Sequence, residues 1–216
     1  MNPEISKLWE IVATGPDSVH DLRAFHHQNK SQLKRKVFHF SEFSSLDEAK
    51  RVVEDTALAW NKEGFNVYIT INPIRHDFSG ASAKDTDINY RDLLFIDIDR
   101  KGDTKQPATE QDIQNAKDLA DKVMAYLSVL GWPTPTRMMS GNGHHLYYVL
   151  DALPNNDEST SLVTKMLKTL ADKFDNDHVR IDTSVANASR ITKVPGTIMR
   201  KGEESPDRPY RMAVVL

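Results

Sequence analysis

The seven residues Leu93–Asp99, LLFIDID, constrain this chain more than any other stretch. Five of them are large and apolar, and so short a run reads as a buried strand. The other two are aspartates one residue apart, and strand side chains alternate between faces. Asp97 and Asp99 therefore point one way, while Ile96 and Ile98 point into a core. Like charges at that spacing repel, and each loses hydration beside so much apolar surface. Any fold that uses this strand needs one sealed face and one face where the acids are compensated. A divalent cation compensates them well, because hard ions such as Mg²⁺ prefer carboxylate oxygens.

Around that strand the pattern switches repeatedly between helix and strand periods. Residues 3–13 and 18–28 read as short helices, and Val37–Phe40 as a strand. Ser45 with Glu48 three residues on is a capping box. The helix it opens places Leu46, Ala49, Val53, Ala57 and Trp60 on one face, and Gly64 ends it. Residues 65–71 alternate as a strand closed by Asn72-Pro73, and 74–90 read as an exposed loop. Thr109 starts a long helix with Ile113, Ala116, Ala120, Val123, Leu127 and Leu130 on one stripe. Residues 137–150, RMMSGNGHHLYYVL, read as strand, glycine turn and strand. A helix at 158–174, a short strand within 179–185 and a final strand at 208–216 complete the chain.

Interspersed strands and helices with one strong hairpin predict an α+β fold, a mixed or antiparallel sheet flanked by helices. With no linker or repeat, the 216 residues read as one domain, 1–216. Within it, 1–64 form an N-terminal helical and α/β portion, and 65–216 the core. The apolar ending MAVVL reads as the cut end of a longer protein.

Composition narrows the function. The chain has no cysteine, which excludes disulfides and cysteine-ligated metals and fits a reducing cytoplasm. No apolar run approaches the roughly 20 residues that cross a bilayer, so no membrane partner is expected. A net charge of −3 argues against a purely electrostatic nucleic-acid binder. Yet Lys30, Lys34, Arg35 and Lys36 cluster, as do Arg190, Lys193, Arg200, Lys201, Arg208 and Arg211. That distribution suits a basic cleft on a mildly acidic body.

Four segments carry chemistry. Asp97 and Asp99 are the first, although an Asp-x-Asp alone is a weak signal. The second is SGNGHH, 140–145, where glycines permit a tight turn and backbone, hydroxyl and imidazole donors suit phosphate oxygens. His144 and His145 alternate faces there, so only one shares the side of the acids. The third is Ile181-Asp182, a candidate third carboxylate, since a pair of metal ions needs more than two. The fourth is RITKVPGT, 190–197, whose Arg190 and Lys193 could reach a triphosphate.

In this order the four segments closely resemble the archaeo-eukaryotic primase superfamily, in the primase–polymerase branch found on plasmids, phages and mobile elements. The likeness spans about residues 65–211, with VYITINP, 67–73, resembling the strand that leads into the family's active site. It implies an RRM-like palm and template-dependent nucleotidyl transfer, as DNA primase, DNA polymerase or both, in replication of such an element. It implies two divalent ions, Mg²⁺ or Mn²⁺, on Asp97, Asp99 and Asp182, with nucleoside triphosphates as substrates. Ser140, the Gly143 backbone, His145, Arg190 and Lys193 would contact the nucleotide, and His144 would point away. Single-stranded DNA template and primer strand are the implied partners, with Arg75, His76 and Lys84 as candidate contacts, and a helicase domain or protein is a further implied partner. The zinc-binding insertion of some members is missing between the second and third motifs. Read from the residues alone, a metal-dependent nuclease or phosphohydrolase and a non-catalytic nucleotide- or nucleic-acid-binding module remain open.

Overall fold

The computed structural model describes residues 3–29 and 31–216; Lys30 lies outside the described residues. A short helix α1 (Pro3–Ser6) and a 3₁₀ turn lead into strands β1 (Val19–His26) and β2 (Leu33–His39). Helix α2 (Leu46–Lys62) and β3 (Phe65–Thr70) follow, then β4 (Tyr90–Arg100) and α3 (Glu110–Val129). The hairpin strands β5 (Thr136–Met139) and β6 (Gly143–Pro154) precede α4 (Asp157–Phe174) and β7 (Val179–Ile181). Short strands close the chain: β8 (Ile191–Lys193), β9 (Ile198–Met199), β10 (Arg211–Met212) and β11 (Val214–Val215).

Two antiparallel sheets carry the fold. One runs β2-β1-β3-β8, the other β11-β5-β6-β4-β7, and β9 and β10 form a small ribbon. The α+β class with antiparallel sheets and flanking helices is as expected. The four-stranded sheet takes strands from both sides of residue 64, so the N-terminal portion and the core share one sheet.

Residues 18–28 are not a helix. Val19–His26 is a strand paired with both β2 and β3. Its charged residues had disguised it. Asp21 is fully buried in that strand, accepting hydrogen bonds from Arg23 Nε (2.9 Å), the Ala83 amide (2.7 Å) and Ser82 Oγ (3.2 Å). All three bonds and the Arg23 ion pair go to Oδ2, and that concentration of donors lets a carboxylate occupy the middle of a sheet although Oδ1 stays buried without a hydrogen bond. The final segment also differs from expectation. Arg211–Met212 pairs with β9, whereas Val214–Val215 crosses to β5, so the apolar tail splits between two sheets.

The helices follow from their sequence signals. Ser45 Oγ accepts the Glu48 amide, but the Glu48 carboxylate returns to the Ser44 amide (3.0 Å), one residue before the expected partner. Thr109 and Asp112 form the reciprocal box at the start of α3. Helices α3 and α4 then cover one face of the five-stranded sheet, where Leu94, Ile96, Ile98, Leu146 and Tyr148 are all buried. That sealed face leaves the opposite one to carry polar chemistry. Among the described residues no helix is long and apolar enough to cross a membrane.

Candidate active site

Register places the acids and the histidines. In the β4–β6 pair, Asp97 lies opposite His145 and Ile98 opposite His144. Opposed residues of an antiparallel pair share a face. His145 therefore stands beside Asp97, its Nε2 3.3 Å from Asp97 Oδ1. His144 lies on the helix side, buried, with neither ring nitrogen hydrogen-bonded. Burial there pushes its pKa down to about 4, with the nearby Arg137 charge acting the same way.

The glycines set how closely the hairpin approaches the acids. Gly141 adopts φ +102°, a left-handed conformation that other residues rarely take. A Cβ on Gly143 would sit 2.3 Å from the Ile98 carbonyl oxygen and 2.9 Å from Asp99 Oδ1. Only glycine lets the backbone lie against Asp99. Ser140 is buried in the turn, where its amide donates to the Gly143 carbonyl (2.9 Å) and its hydroxyl contacts the same oxygen (3.3 Å).

Behind His145 runs a chain of polar contacts. Its Nδ1 is 2.9 Å from Tyr147 Oη, which is 2.5 Å from Thr192 Oγ1 on β8. Phe95 stacks on Tyr147 and meets the His145 ring edge-on. The imidazole is thus fixed in place, with Nε2 3.3 Å from Asp97 Oδ1. Tyr147 and Thr192 were not singled out in the sequence, because they meet across two sheets.

The two acids are electrostatically split. Burial pushes the Asp97 carboxyl up, but His145, Arg190 and Lys201 outweigh that effect and hold it below its ordinary value. Burial, with the Asp97 charge adding to it, pushes Asp99 up to about 6. Asp97 Oδ1 is buried and accepts no hydrogen bond; the His145 contact lacks hydrogen-bond geometry. Two carboxylates on one face, one with an unserved oxygen and one resisting ionisation, fit a hard divalent cation between them.

The third carboxylate is near, and its charge helps push Asp99 up. The Asp182 amide donates to the Asp97 carbonyl (2.8 Å), which anchors its backbone beside β4. Its Oδ1 accepts the Ser184 amide (2.9 Å), capping a 3₁₀ turn. Among the described residues no three His, Asp or Glu side chains converge tightly enough to hold a metal. The side chains thus supply a two-carboxylate site with Asp182 adjacent.

The basic residues divide. Arg190 reaches Ser184 Oγ (3.4 Å) and its charge acts on Asp97. Lys193 is 2 % exposed, and its Nζ donates to the Ile198 carbonyl (3.2 Å). Burial, with Arg200 nearby, holds that amine well below its ordinary value. Arg200 and Lys201, rather than Lys193, line an open basin of about 690 Å³ whose wall also includes Phe25, Asn66, Tyr68, Met199 and Lys105. Met199 of that basin lies 2.4 Å from where a Cβ on Gly141 would sit, so the basin borders the hairpin. Lys201 acts on both carboxylates, and they help push Tyr68 well above its ordinary value.

No family model matches the sequence, and no curated protein matches it. Solved structures do match. The primase–polymerase domain of cyanophage S-2L aligns with TM-score 0.55 at 15% identity, over 100% of this chain and 89% of that one. The primase RepB′ aligns with TM-score 0.55 at 12% identity, over 100% of this chain and 55% of that one. The polymerase domain of Mycobacterium tuberculosis ligase D, solved with DNA, gives TM-score 0.55 at 15% identity over 97% and 79%. The fold is that of primase–polymerase catalytic domains.

Proposed function

We propose that this chain is a nucleotidyltransferase that builds DNA on a single-stranded template, as a primase, a polymerase or both, from nucleoside triphosphates. The observation that carries the reading is the juxtaposition of Asp97, Asp99 and His145 on one face of the β4–β6 pair, beside a basin lined by Arg200 and Lys201. The structural neighbours support it: they are primases and polymerase domains, two of them solved with DNA.

Asp97 and Asp99 are the residues to hold Mg²⁺ or Mn²⁺, and Asp182 joins them if its side chain leaves the Ser184 amide. Divalent ions bound there would activate the primer 3′-hydroxyl and neutralise the leaving pyrophosphate. The protein's own part is to place and neutralise. Arg200 and Lys201 offer charge to phosphates entering the basin, and Arg190 adds a further cation at the rim of the acids. His145, held by Tyr147 and Thr192, keeps a ring nitrogen fixed between Asp97 and incoming phosphate. Gly143 keeps the hairpin backbone close enough for its turn to border the same space. Lys193 supports the floor through the Ile198 carbonyl and the Tyr68 ring (5.6 Å).

A gel assay on single-stranded template, with labelled nucleotides and Mn²⁺ or Mg²⁺, tests the reading. Metal-dependent extension lost in Asp97→Asn/Asp99→Asn is expected, and products made without primer would identify a primase. Shortening of the template instead of extension would replace the reading with a nuclease.

A further inference from the structure

The four-stranded sheet holds a row that the acids do not explain. Arg35 on β2 opposes Arg23 on β1, Arg23 opposes Tyr68 on β3, and Tyr68 opposes Lys193 on β8. Directly opposed residues share a face, so the row crosses the whole sheet on one side. In the next row Phe25 opposes Asn66, and the Phe25 and Tyr68 rings meet edge-on, 5.9 Å apart. Both rings are half-buried, so each offers surface to a flat ligand.

The row links two basins. At one end is the basin of Tyr68, Phe25 and Lys201, whose Met199 packs against Gly141 of the hairpin that borders Asp97 and Asp99. At the other is a basin of about 630 Å³ whose lining includes Arg23, Arg35, Lys84 and Gly80-Ala81-Ser82. Arg23 is committed to Asp21 (2.7 Å). Arg35 and Lys84 are exposed and form no ion pair among the described residues. Strand spacing of roughly 4.8 Å sets Arg35 about 10 Å from Tyr68, the reach of a few nucleotides of single strand. Cations at the ends and aromatic rings between them are what a single polynucleotide strand uses: phosphates pair with the cations and unpaired bases stack on the rings. A duplex hides those base faces, and an acidic peptide has no use for the rings.

We propose that this face conducts a single polynucleotide strand between the acids and the β2 edge, with bases on Phe25 and Tyr68 and phosphates on Arg35 and Lys84. Only the direction of travel, toward a reacting end at Asp97 and Asp99, rests on the nucleotidyl-transfer reading.

The test is fluorescence anisotropy of a labelled 20-nucleotide single-stranded DNA, and of its duplex, across a salt series. Arg35→Glu should weaken single-strand binding about tenfold, Arg35→Ala should lower the salt slope by about one contact, and Arg35→Lys should restore both. Phe25→Ala should weaken single-strand binding about fivefold or more and leave duplex binding unchanged. Arg35 is exposed on an edge strand, so its variants keep the fold, as melting curves would verify. Wild-type affinity in Arg35→Glu, or no single-strand binding by the parent, overturns the proposal. Loss of binding in Arg35→Glu from a parent that extends no primer keeps the track and rejects the nucleotidyl-transfer reading. Normal extension with unaltered binding in both variants does the reverse.

Discussion

The two faces of the β4–β6 pair are made from the same two strands, yet they do opposite things. On one, Ile96, Ile98, Leu146 and His144 are sealed under α3 and α4, and even a histidine is kept neutral by burial. On the other, Asp97, Asp99 and His145 meet cations from two further segments, Arg190 and Lys201, and two adjacent carboxylates are pushed apart in their proton affinity. Stability is concentrated on the first face. The second carries charge repulsion that the fold tolerates and a bound cation would relieve.

The largest effect should come from the acidic face. Asp97→Asn/Asp99→Asn is expected to lower nucleotide incorporation about a thousandfold, roughly 4 kcal/mol of barrier, while keeping or raising the melting temperature. A matching fall in stability would show that the carboxylates hold the fold together, and the contrast between faces would fail.

Gly143 belongs to both faces, since it determines how closely they are joined. Gly143→Ala forces a Cβ into the Ile98 carbonyl and should cost about 2–4 kcal/mol in denaturant unfolding. An unchanged midpoint would mean that the close approach is not enforced.

Adjacent histidines offer a finer comparison. His145→Ala should lower incorporation about 10- to 100-fold with little change in stability, as expected for loss of a contact to a charged group. His144→Leu should do the opposite, preserving activity and stabilising the fold by about 1–2 kcal/mol, because a buried imidazole without partners is replaced by an apolar group. If the two variants exchanged phenotypes, the assignment of faces would be inverted.

Acid should act on stability in two opposing ways, through buried histidines and through desolvated carboxylates. His144 and His20 both have pKa values pushed down to about 4, from 6.5 in the unfolded chain. At these two sites the unfolded state binds more protons below pH 6.5, so their contribution is flat above that pH and falls on the way to pH 4. Asp92 and Asp99, both pushed up to about 6, bind protons more readily in the folded chain and offset part of the loss. At pH 5 the loss is about 2 kcal/mol for each histidine. His144→Leu should remove one histidine's share, about 2 kcal/mol at pH 5; a parallel curve would assign the acid sensitivity elsewhere.

The geometry of these faces was largely legible in the sequence because alternation along one strand is a local property. It put Asp97 and Asp99 together, set Ile96 and Ile98 opposite, and separated His144 from His145. Contacts between sheets have no such signature. Tyr68, Thr192 and Lys201 meet the acids only through the packing of β3, β8 and the segment after β9, so spacing alone could not select them, whereas Tyr147, two residues from His145, shares its face by alternation. The same limit explains Lys193. A cation before a Pro-Gly turn looks available, but its register opposite Tyr68 buries it. The misread strand β1 is the converse case, where Asp21 and Arg23 look solvent-facing until Ser82 and Ala83 close over them.

The central claim is that Asp97 and Asp99 form a divalent-cation site on the open face. Titration of Mn²⁺ into the protein, followed by the electron paramagnetic resonance signal of the free ion, tests it most directly. The parent and His144→Leu should deplete the free-ion signal alike, and Asp97→Asn/Asp99→Asn should leave it unchanged. Equal depletion by the parent and the double variant would contradict the account.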